Sequence, residues 1–546
     1  MIPRGRPSRL AGALAMVLAS VLAVPPVARA APPPGAVPLH DLAGLYPRVI
    51  RLAHNGAANG RILASVVHHP GGDGTGAIFE STDDGATFRR VGSVTDPEAA
   101  DGRGLCCATL FELPRPIGAL PAGTLLWAAS VRAQARPMSI RIWRSTDLGR
   151  SWSYLSACAT TTVTSGGLWE PEFSVAADGR LVCHYSDETD PAHSQKLMAV
   201  RSSDGVTWQD RRATVASPTR SHRPGMAVVR RLPTGRYLMA YEICGTGDQY
   251  GCAVHLRDSA DGWNWGDPAA PGRMPRTVRG MYLTHTPTIA WAPSARNSTG
   301  KILLIGQLVN RRNGTVATAR SGQTILVNTE GGHGYWYEQP APVVTKPHEV
   351  TDPDRMFCPN YSSPLLPSER GDRVLEIASE WDGNVCKAYF ASGSAVGTGA
   401  ATGVVDGATY RLVGLQGGHC LDVYQDQRDD GANVQHYTCT DGGNQDWVLT
   451  ARGGGYFTLR GRNSGKCLEV AAGDTAPGAN VRQWTCTGAA RQDWRLVNVG
   501  REVYTLAARH SGLCLDVAGG STASGANVQQ WTCNDLQPQI WNLQRR

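Results

Sequence analysis

The sequence predicts an all-β chain in two unequal parts, a six-bladed β-propeller followed by a β-trefoil. Three features predict it. A strand–turn–strand pattern recurs six times over residues 39–393, and a three-fold cysteine-anchored repeat fills residues 408–546. The composition of 63 Gly, 34 Pro and 15 Trp, with few helical periodicities, suits short strands joined by tight turns. At 546 residues the chain exceeds what one hydrophobic core organises, so several domains are expected.

The first thirty residues hold Arg4, Arg6 and Arg9, an apolar run from Leu10 to Val24 and the small-residue site Ala28-Arg29-Ala30. These are the three parts of a secretory signal peptide, so residues 1–30 are set aside and the mature chain is expected to be secreted and extracellular. No later stretch reaches the roughly 18 apolar residues of a membrane span, and no membrane partner is expected. The net charge of +7 forms no Lys/Arg run, which argues against nucleic acid. Fourteen cysteines in an exported chain point to disulfides, not to metal ligands or nucleophiles. No Cys-x-x-Cys occurs, and neither metal nor cofactor is expected. Spacing suggests Cys158 with Cys183, Cys244 with Cys252 and Cys358 with Cys386, while adjacent Cys106 and Cys107 have only each other. A monomer is expected.

In the first part, apolar strands open at Tyr46, Ala108, Glu170, Arg223, Thr286 and Ser363, and returning strands follow Gly60, Gly123, Gly179, Gly235, Gly300 and Arg373. Four short antiparallel strands per unit, closed radially, leave no bare sheet edge. Four further turns, Ser81 to Phe88, Ser145 to Trp152, Ser202 to Trp208 and Ser259 to Trp265, put Ser and Asp where their side chains bond the backbone of a tight turn. Their role is structural.

In such a blade the innermost strand leaves one rim of the axial funnel and the second strand returns to it. Glu170, on the first strand of the third blade, and Glu242, ending the second strand of the fourth, therefore share a rim. Two carboxylates across a funnel are what glycoside hydrolysis needs. Both lie beside aromatic residues, Trp169 and Tyr241, where desolvation raises a carboxyl pKa. Glu172, Asp187, Glu188 and Glu380 approach the predicted rims too and compete for a place in the pair. His68 and His69 also end a second strand at this rim, without a third ligand for a metal.

In the second part, Cys420-Leu421-Asp422-Val423 recurs at equal spacing as Cys467-Leu468-Glu469-Val470 and Cys514-Leu515-Asp516-Val517. Second cysteines follow at Cys439, Cys486 and Cys533, and each copy closes on Gln-x-Trp at Trp447, Trp494 and Trp541. So short a unit cannot bury its own apolar face, so three copies pack about a pseudo-three-fold axis with one disulfide stapling each. The Gly, Ala, Thr and Ser of residues 394–407 suit a flexible linker.

The three-fold repeat resembles the ricin B-type lectin family, carbohydrate-binding module family 13. The resemblance implies sugar binding by the Asp of Cys-Leu-Asp, by a Gln and an aromatic before the second Cys, and by an Asn-Gln pair. The first repeat keeps the whole set as Asp422, Gln435, Tyr437, Asn444 and Gln445. The third has Asp516, Gln529, Trp531 and Gln539 but puts Pro538 where Asn is expected. The second keeps Trp484 and Gln492 and substitutes Glu469, Arg482 and Arg491.

The Ser/Asp turns resemble the Asp boxes of sialidase-type propellers. With them, Trp169-Glu170-Pro171, Arg223-Pro-Gly-Met, Tyr241-Glu242 and Asn360-Tyr361-Ser362-Ser363 resemble glycoside hydrolase family 93, the six-bladed exo-1,5-α-L-arabinanases. That resemblance implies retaining release of arabinobiose from the ends of linear arabinan, with Glu170 as acid/base and Glu242 as nucleophile; the reverse order is chemically open. Tyr361 falls where sialidases keep a nucleophilic tyrosine and is expected to support the site. Trp169, Arg223, Tyr241, Arg48 and His69 are expected to touch substrate. An exo-α-sialidase is the rival, although such enzymes hold a carboxylate with three arginines and only Arg48 and Arg223 are placed for it. A non-catalytic carbohydrate-binding propeller is the third reading. The expected partner is a plant-type polysaccharide or another glycan.

Overall fold

The computed structural model describes residues 33–69, 72–131, 137–347, 356–395 and 403–546. The expected signal peptide and residues 396–402 of the expected linker lie outside them. The described residues are all β, with single 3₁₀ turns as their only helical pieces. Six antiparallel sheets are followed by one sheet of twelve strands, a six-bladed propeller and then a trefoil.

Blade 1 comprises Leu45–Arg51, Ile62–His68, Thr75–Ser81 and Arg89–Val94. Blades 2 and 3 repeat that order, opening on Leu105–Glu112 and Leu168–Val175. Blade 4 opens on Arg223–Arg231 and Tyr237–Cys244, and its sheet carries a fifth strand, Leu308–Asn310, supplied after the second strand of blade 5. Blade 5 opens on Thr288–Ala292 and blade 6 on Leu365–Pro367. The outer strand of blade 6 is Val37–Pro38, paired with Val385–Ser394, so the N-terminal strand closes the ring.

The Ser/Asp turns tie blades 1 to 4 to their neighbours. In blade 1, Ser81 Oγ donates to Asp83 Oδ1 at 2.8 Å and accepts the Gly85 amide at 2.9 Å. Gly85 stands at φ +83°, and a Cβ there would lie 2.9 Å from Leu375 of blade 6. Only glycine meets both demands. Asp147 repeats the pattern in blade 2, accepting from Ser145 Oγ at 2.7 Å and from the Ser151 amide at 2.9 Å. Blades 3 and 4 form the same turn with Ser202/Asp204 and Ser259/Asp261.

In the trefoil, fully buried Trp447, Trp494 and Trp541 each donate their indole N–H to a leucine carbonyl, of Leu421, Leu468 and Leu515. On the axis, Asn433, Asn480 and Asn527, 47 residues apart, pass one amide hydrogen bond around a closed triangle of 2.9–3.0 Å contacts. All fourteen cysteines are paired, including Cys420–Cys439, Cys467–Cys486 and Cys514–Cys533 in the trefoil. The propeller pairs are Cys158–Cys183, Cys244–Cys252, Cys358–Cys386 and adjacent Cys106–Cys107. Seven disulfides are consistent with an oxidising compartment, and no helix of the described residues is long and apolar enough to cross a membrane.

The trefoil packs on blade 5. Tyr337 shares one buried cluster with Leu415, Val503 and Ile540. Gln339 Nε2 donates to the Val499 carbonyl at 2.9 Å, and Gln537 Nε2 to the Tyr335 carbonyl at 2.8 Å.

Replacing Asp147 with Ala strands the Ser151 amide and the Ser145 hydroxyl. The expected loss is about 1–2 kcal/mol, read from the shift of the urea unfolding midpoint at unchanged slope.

Candidate active site and lectin sites

Each innermost strand enters the axial rim through a residue in the left-handed region. These are Tyr46 (φ 50°), Cys107 (59°), Glu170 (59°), Met226 (59°), Thr286 (48°) and Ser362 (57°). In blades 1 to 4 the residue sits within a register shift, between Leu45 and Arg48, Cys106 and Thr109, Trp169 and Glu172, and Gly225 and Val228. Such a bulge re-aims a side chain out of strand alternation. Non-glycine residues in this region cost of order 1–3 kcal/mol each and persist where the surroundings over-determine them. Here closure of the ring does so. Tyr46 of blade 1 reaches Met226 of blade 4, the opposite blade, with its hydroxyl 3.7 Å from the Met226 sulfur. This contact crosses the axis and floors the funnel.

Glu170 Oε2 accepts from Ser186 Oγ at 2.7 Å and from the Met226 amide at 2.9 Å. Among the described residues, Glu242 Oε2 accepts only the Thr286 amide, at 2.6 Å. Gly225 lies between the two: it faces Glu242 in register, and a Cβ on it would come 2.3 Å from Gln195 Nε2 and 3.6 Å from Glu170 Oε2. Burial pushes the Glu242 carboxyl up to about 8, against the Thr286 amide and with help from the charge of Glu170. Burial also raises Glu170, opposed by its two donors, Ser186 and Met226. The Tyr361 hydroxyl is held well above its usual range by burial and by the charges of Glu170 and Glu242, so it stays a proton donor.

Beside the pair, Trp169 Nε1 donates to Glu188 Oε2 at 2.8 Å. Arg223 Nη2 bonds Glu188 Oε1 and, at 2.7 Å, Gln195 Oε1. His69 is exposed, its Nε2 3.0 Å from the Leu105 carbonyl at the mouth of blade 2. Arg48 is buried and spent on the Ser362 hydroxyl at 3.0 Å and on its stack over Tyr46 at 4.2 Å. It braces the rim from below. The expectation that Tyr241 meets substrate is corrected: strand alternation turns it away from Glu242, and it is fully buried with its hydroxyl on the Pro271 carbonyl at 2.6 Å. The rival carboxylates are engaged elsewhere, Asp187 by Arg211 at 2.7 Å, Glu172 by Arg230 at 2.6 Å and Glu380 by the Trp381 amide at 2.8 Å.

Sequence reasoning missed Ser186, Gln195 and Met226. Met226 acts through its backbone amide at a bulge, and the side chains of Ser186 and Gln195 reach their partners only across neighbouring strands, so no local sequence pattern announces them. An axial cavity of about 650 Å³, lined by Arg48, Thr109, Glu172 and Arg230, extends to the strand turns at His54 and Arg115, the end opposite the glutamates.

The trefoil repeats diverge around one carboxylate. Asp422 accepts from Gln435 at 2.8 Å and from Asn444 and Gln445 at 2.9 Å, with Tyr437 exposed alongside. Asp516 accepts from Gln529 at 2.9 Å and Gln539 at 3.1 Å, with Trp531 exposed. Proline at 538 has no donor to add, and its turn is the one docked on blade 5 through Gln537. Glu469 is closed off by Arg482 at 3.0 Å, Arg491 at 3.0 Å and Gln492 at 2.9 Å. Arg482 also covers the Trp484 ring at 4.0 Å.

Fold and site together define a six-bladed propeller with a half-buried carboxylate pair, joined to a lectin-like trefoil. Residues 400–484, 443–531 and 490–546 match the family described as ricin-type beta-trefoil lectin domain-like. The propeller resembles glycoside hydrolase family 93 structures. It is similar to the Penicillium chrysogenum alpha-L-arabinanase complexed with arabinobiose, at 25% identity over 66% of this chain and 98% of that one, TM-score 0.54. The GH93 alpha-L-arabinofuranosidase of Fusarium graminearum with arabinobiose shares the fold at 22% identity, over 66% and 97% of the two chains, TM-score 0.54. No curated protein matches the chain.

Removing the Ser186 hydroxyl takes one donor from the Glu170 carboxylate. In Ser186→Ala the Glu170 pKa is expected to rise further, measured by carbon NMR titration of labelled glutamate; an unchanged value contradicts the assigned bond.

Proposed function

We propose that this chain is a secreted, retaining, exo-acting glycoside hydrolase that releases arabinobiose from the ends of linear α-1,5-L-arabinan, with its trefoil holding it on polysaccharide. The observation that carries the reading is the half-buried pair Glu170 and Glu242, unequally hydrogen-bonded on adjacent blades, in a propeller similar along its length to an arabinanase complexed with arabinobiose. The floor made by Tyr46 and Met226 supports exo action, because a blind funnel admits a chain end and not a chain interior.

The chemistry is assigned from the unequal environments, which reverse the roles expected at first. Glu170, with two donors on its carboxylate, is the nucleophile. Glu242, with one donor and a pKa near 8, carries the proton. Glu242 protonates the glycosidic oxygen as Glu170 attacks the anomeric carbon and forms a glycosyl ester. Glu242 then takes a proton from water, which releases the sugar and frees Glu170. Tyr361, always protonated, donates to the reacting sugar or to the pair. An exo-sialidase fits less well, since Arg48 is committed to Ser362 and Arg223 to Glu188.

Residues 39–393 are the catalytic unit in this reading and residues 408–546 the binding unit. The first trefoil repeat is the complete sugar site, the third is weakened and the second is sealed by its own arginines.

Incubation with linear arabinan, sialyllactose, xylan and galactan is expected to yield arabinobiose from arabinan alone; sialic acid from sialyllactose with nothing from arabinan sinks the reading. Glu170→Gln and Glu242→Gln are each expected to cut kcat/KM by about 10³-fold or more while leaving polysaccharide retention intact.

The pH profile of kcat/KM is expected to be bell-shaped. It falls as pH rises through about 8, where Glu242 loses the proton it must donate, and falls at acid pH as Glu170 becomes protonated. In affinity electrophoresis Asp422→Ala is expected to abolish most retention on the polysaccharide, and Glu469→Ala to leave it unchanged while lowering the melting temperature.

A further inference from the structure

Cys106 and Cys107 are joined to each other at the rim of blade 2. Cys106 faces Ser130 in register as Trp169 faces Ser186, so Cys107 takes in blade 2 the place that Glu170 takes in blade 3. The two share the same left-handed φ of 59°. Two residues further along, Thr109 Oγ1 donates to Glu172 Oε2 at 3.1 Å, so the two strands stand in side-chain contact just below this level. The disulfide is therefore the neighbour of Glu170 around the axis, between it and Tyr46.

Two observations set this disulfide apart from the sheet disulfides Cys158–Cys183 and Cys358–Cys386. Both of its cysteines are half-buried at the rim, as Cys244 and Cys252 also are, whereas those four are buried. Ser130, the counterpart of Ser186, is buried with its hydroxyl unpartnered among the described residues, where Ser186 donates to a carboxylate. Blade 2 keeps the frame of the Glu170 site and presents sulfur in place of the acid.

A disulfide donates no hydrogen bond and offers a compact, polarisable apolar surface. The C–H face of a sugar ring asks for such a surface, commonly an aromatic ring. Residues 105–109 of blade 2 hold no aromatic side chain. We propose that the Cys106–Cys107 disulfide is a substrate-contacting platform that seats the C–H face of the sugar unit lying against Glu170. The proposal rests on the hydrolase reading of the same funnel.

The test compares the wild-type full chain with Cys106→Ala/Cys107→Ala and with Cys106→Ser/Cys107→Ser, which keeps side-chain size if the alanine pair fails to fold. On whichever panel glycan the wild type cleaves, KM is expected to rise about five- to tenfold, with kcat changing less than about threefold. The control Cys158→Ala/Cys183→Ala is expected to lower the melting temperature and leave KM alone. A wild-type KM in both rim variants overturns the platform. Should the wild type cleave nothing in the panel, the hydrolase reading falls by itself. The platform is then judged by calorimetric titration of the panel saccharides into Asp422→Ala protein with and without the rim substitutions; weaker binding without the disulfide keeps it, and equal binding or none overturns it.

Discussion

Six strands must begin at one axis, and that crowding governs the rest of the molecule. Side chains that alternated normally would point along the blade faces, so each strand enters through a left-handed residue that turns one side chain inward. Neighbouring blades supply the bonds that hold these turns. Met226 of blade 4 gives its amide to Glu170 of blade 3, and Thr286, at the mouth of blade 5, gives its amide to Glu242 of blade 4. The carboxylates are thus positioned by backbone donors of other blades, and neither could keep its place in an isolated sheet.

The same crowding separates what the sequence revealed from what it hid. Six strand pairs and three cysteine repeats are periodic, and periodicity survives in a bare string of letters. Glu170 and Glu242 were placed on one rim by counting strand directions alone. Tyr241 is hidden from such counting, because a strand sends sequence neighbours to opposite faces and its ring lies in the core. The division of roles between the glutamates was out of reach as well, because it turns on one backbone amide more or less. The composition of residues 394–407 suits a flexible linker and says nothing of the packing beyond it, where Tyr337, Val503 and Ile540 bury one shared cluster whose members lie far apart in the chain.

The trefoil divides its work differently. Its three tryptophans and the asparagine triangle are invariant across the repeats, because every repeat must meet the same axis. The carboxylate pocket answers to no such demand, so its residues were free to drift. Glu469 shows where drift leads: two arginines fill the space, and what remains is an internal ion cluster that welds the repeat together.

Closure of the ring by Val37–Pro38 also orders events in time. The strand that seals blade 6 is made some 350 residues before its partner Val385–Ser394. Until then the nascent propeller carries an unpaired β-edge at each end, the kind of surface that recruits wrong partners. Synthesis of the trefoil begins only after the closing partner exists, so the lectin module follows a ring that is already able to shut.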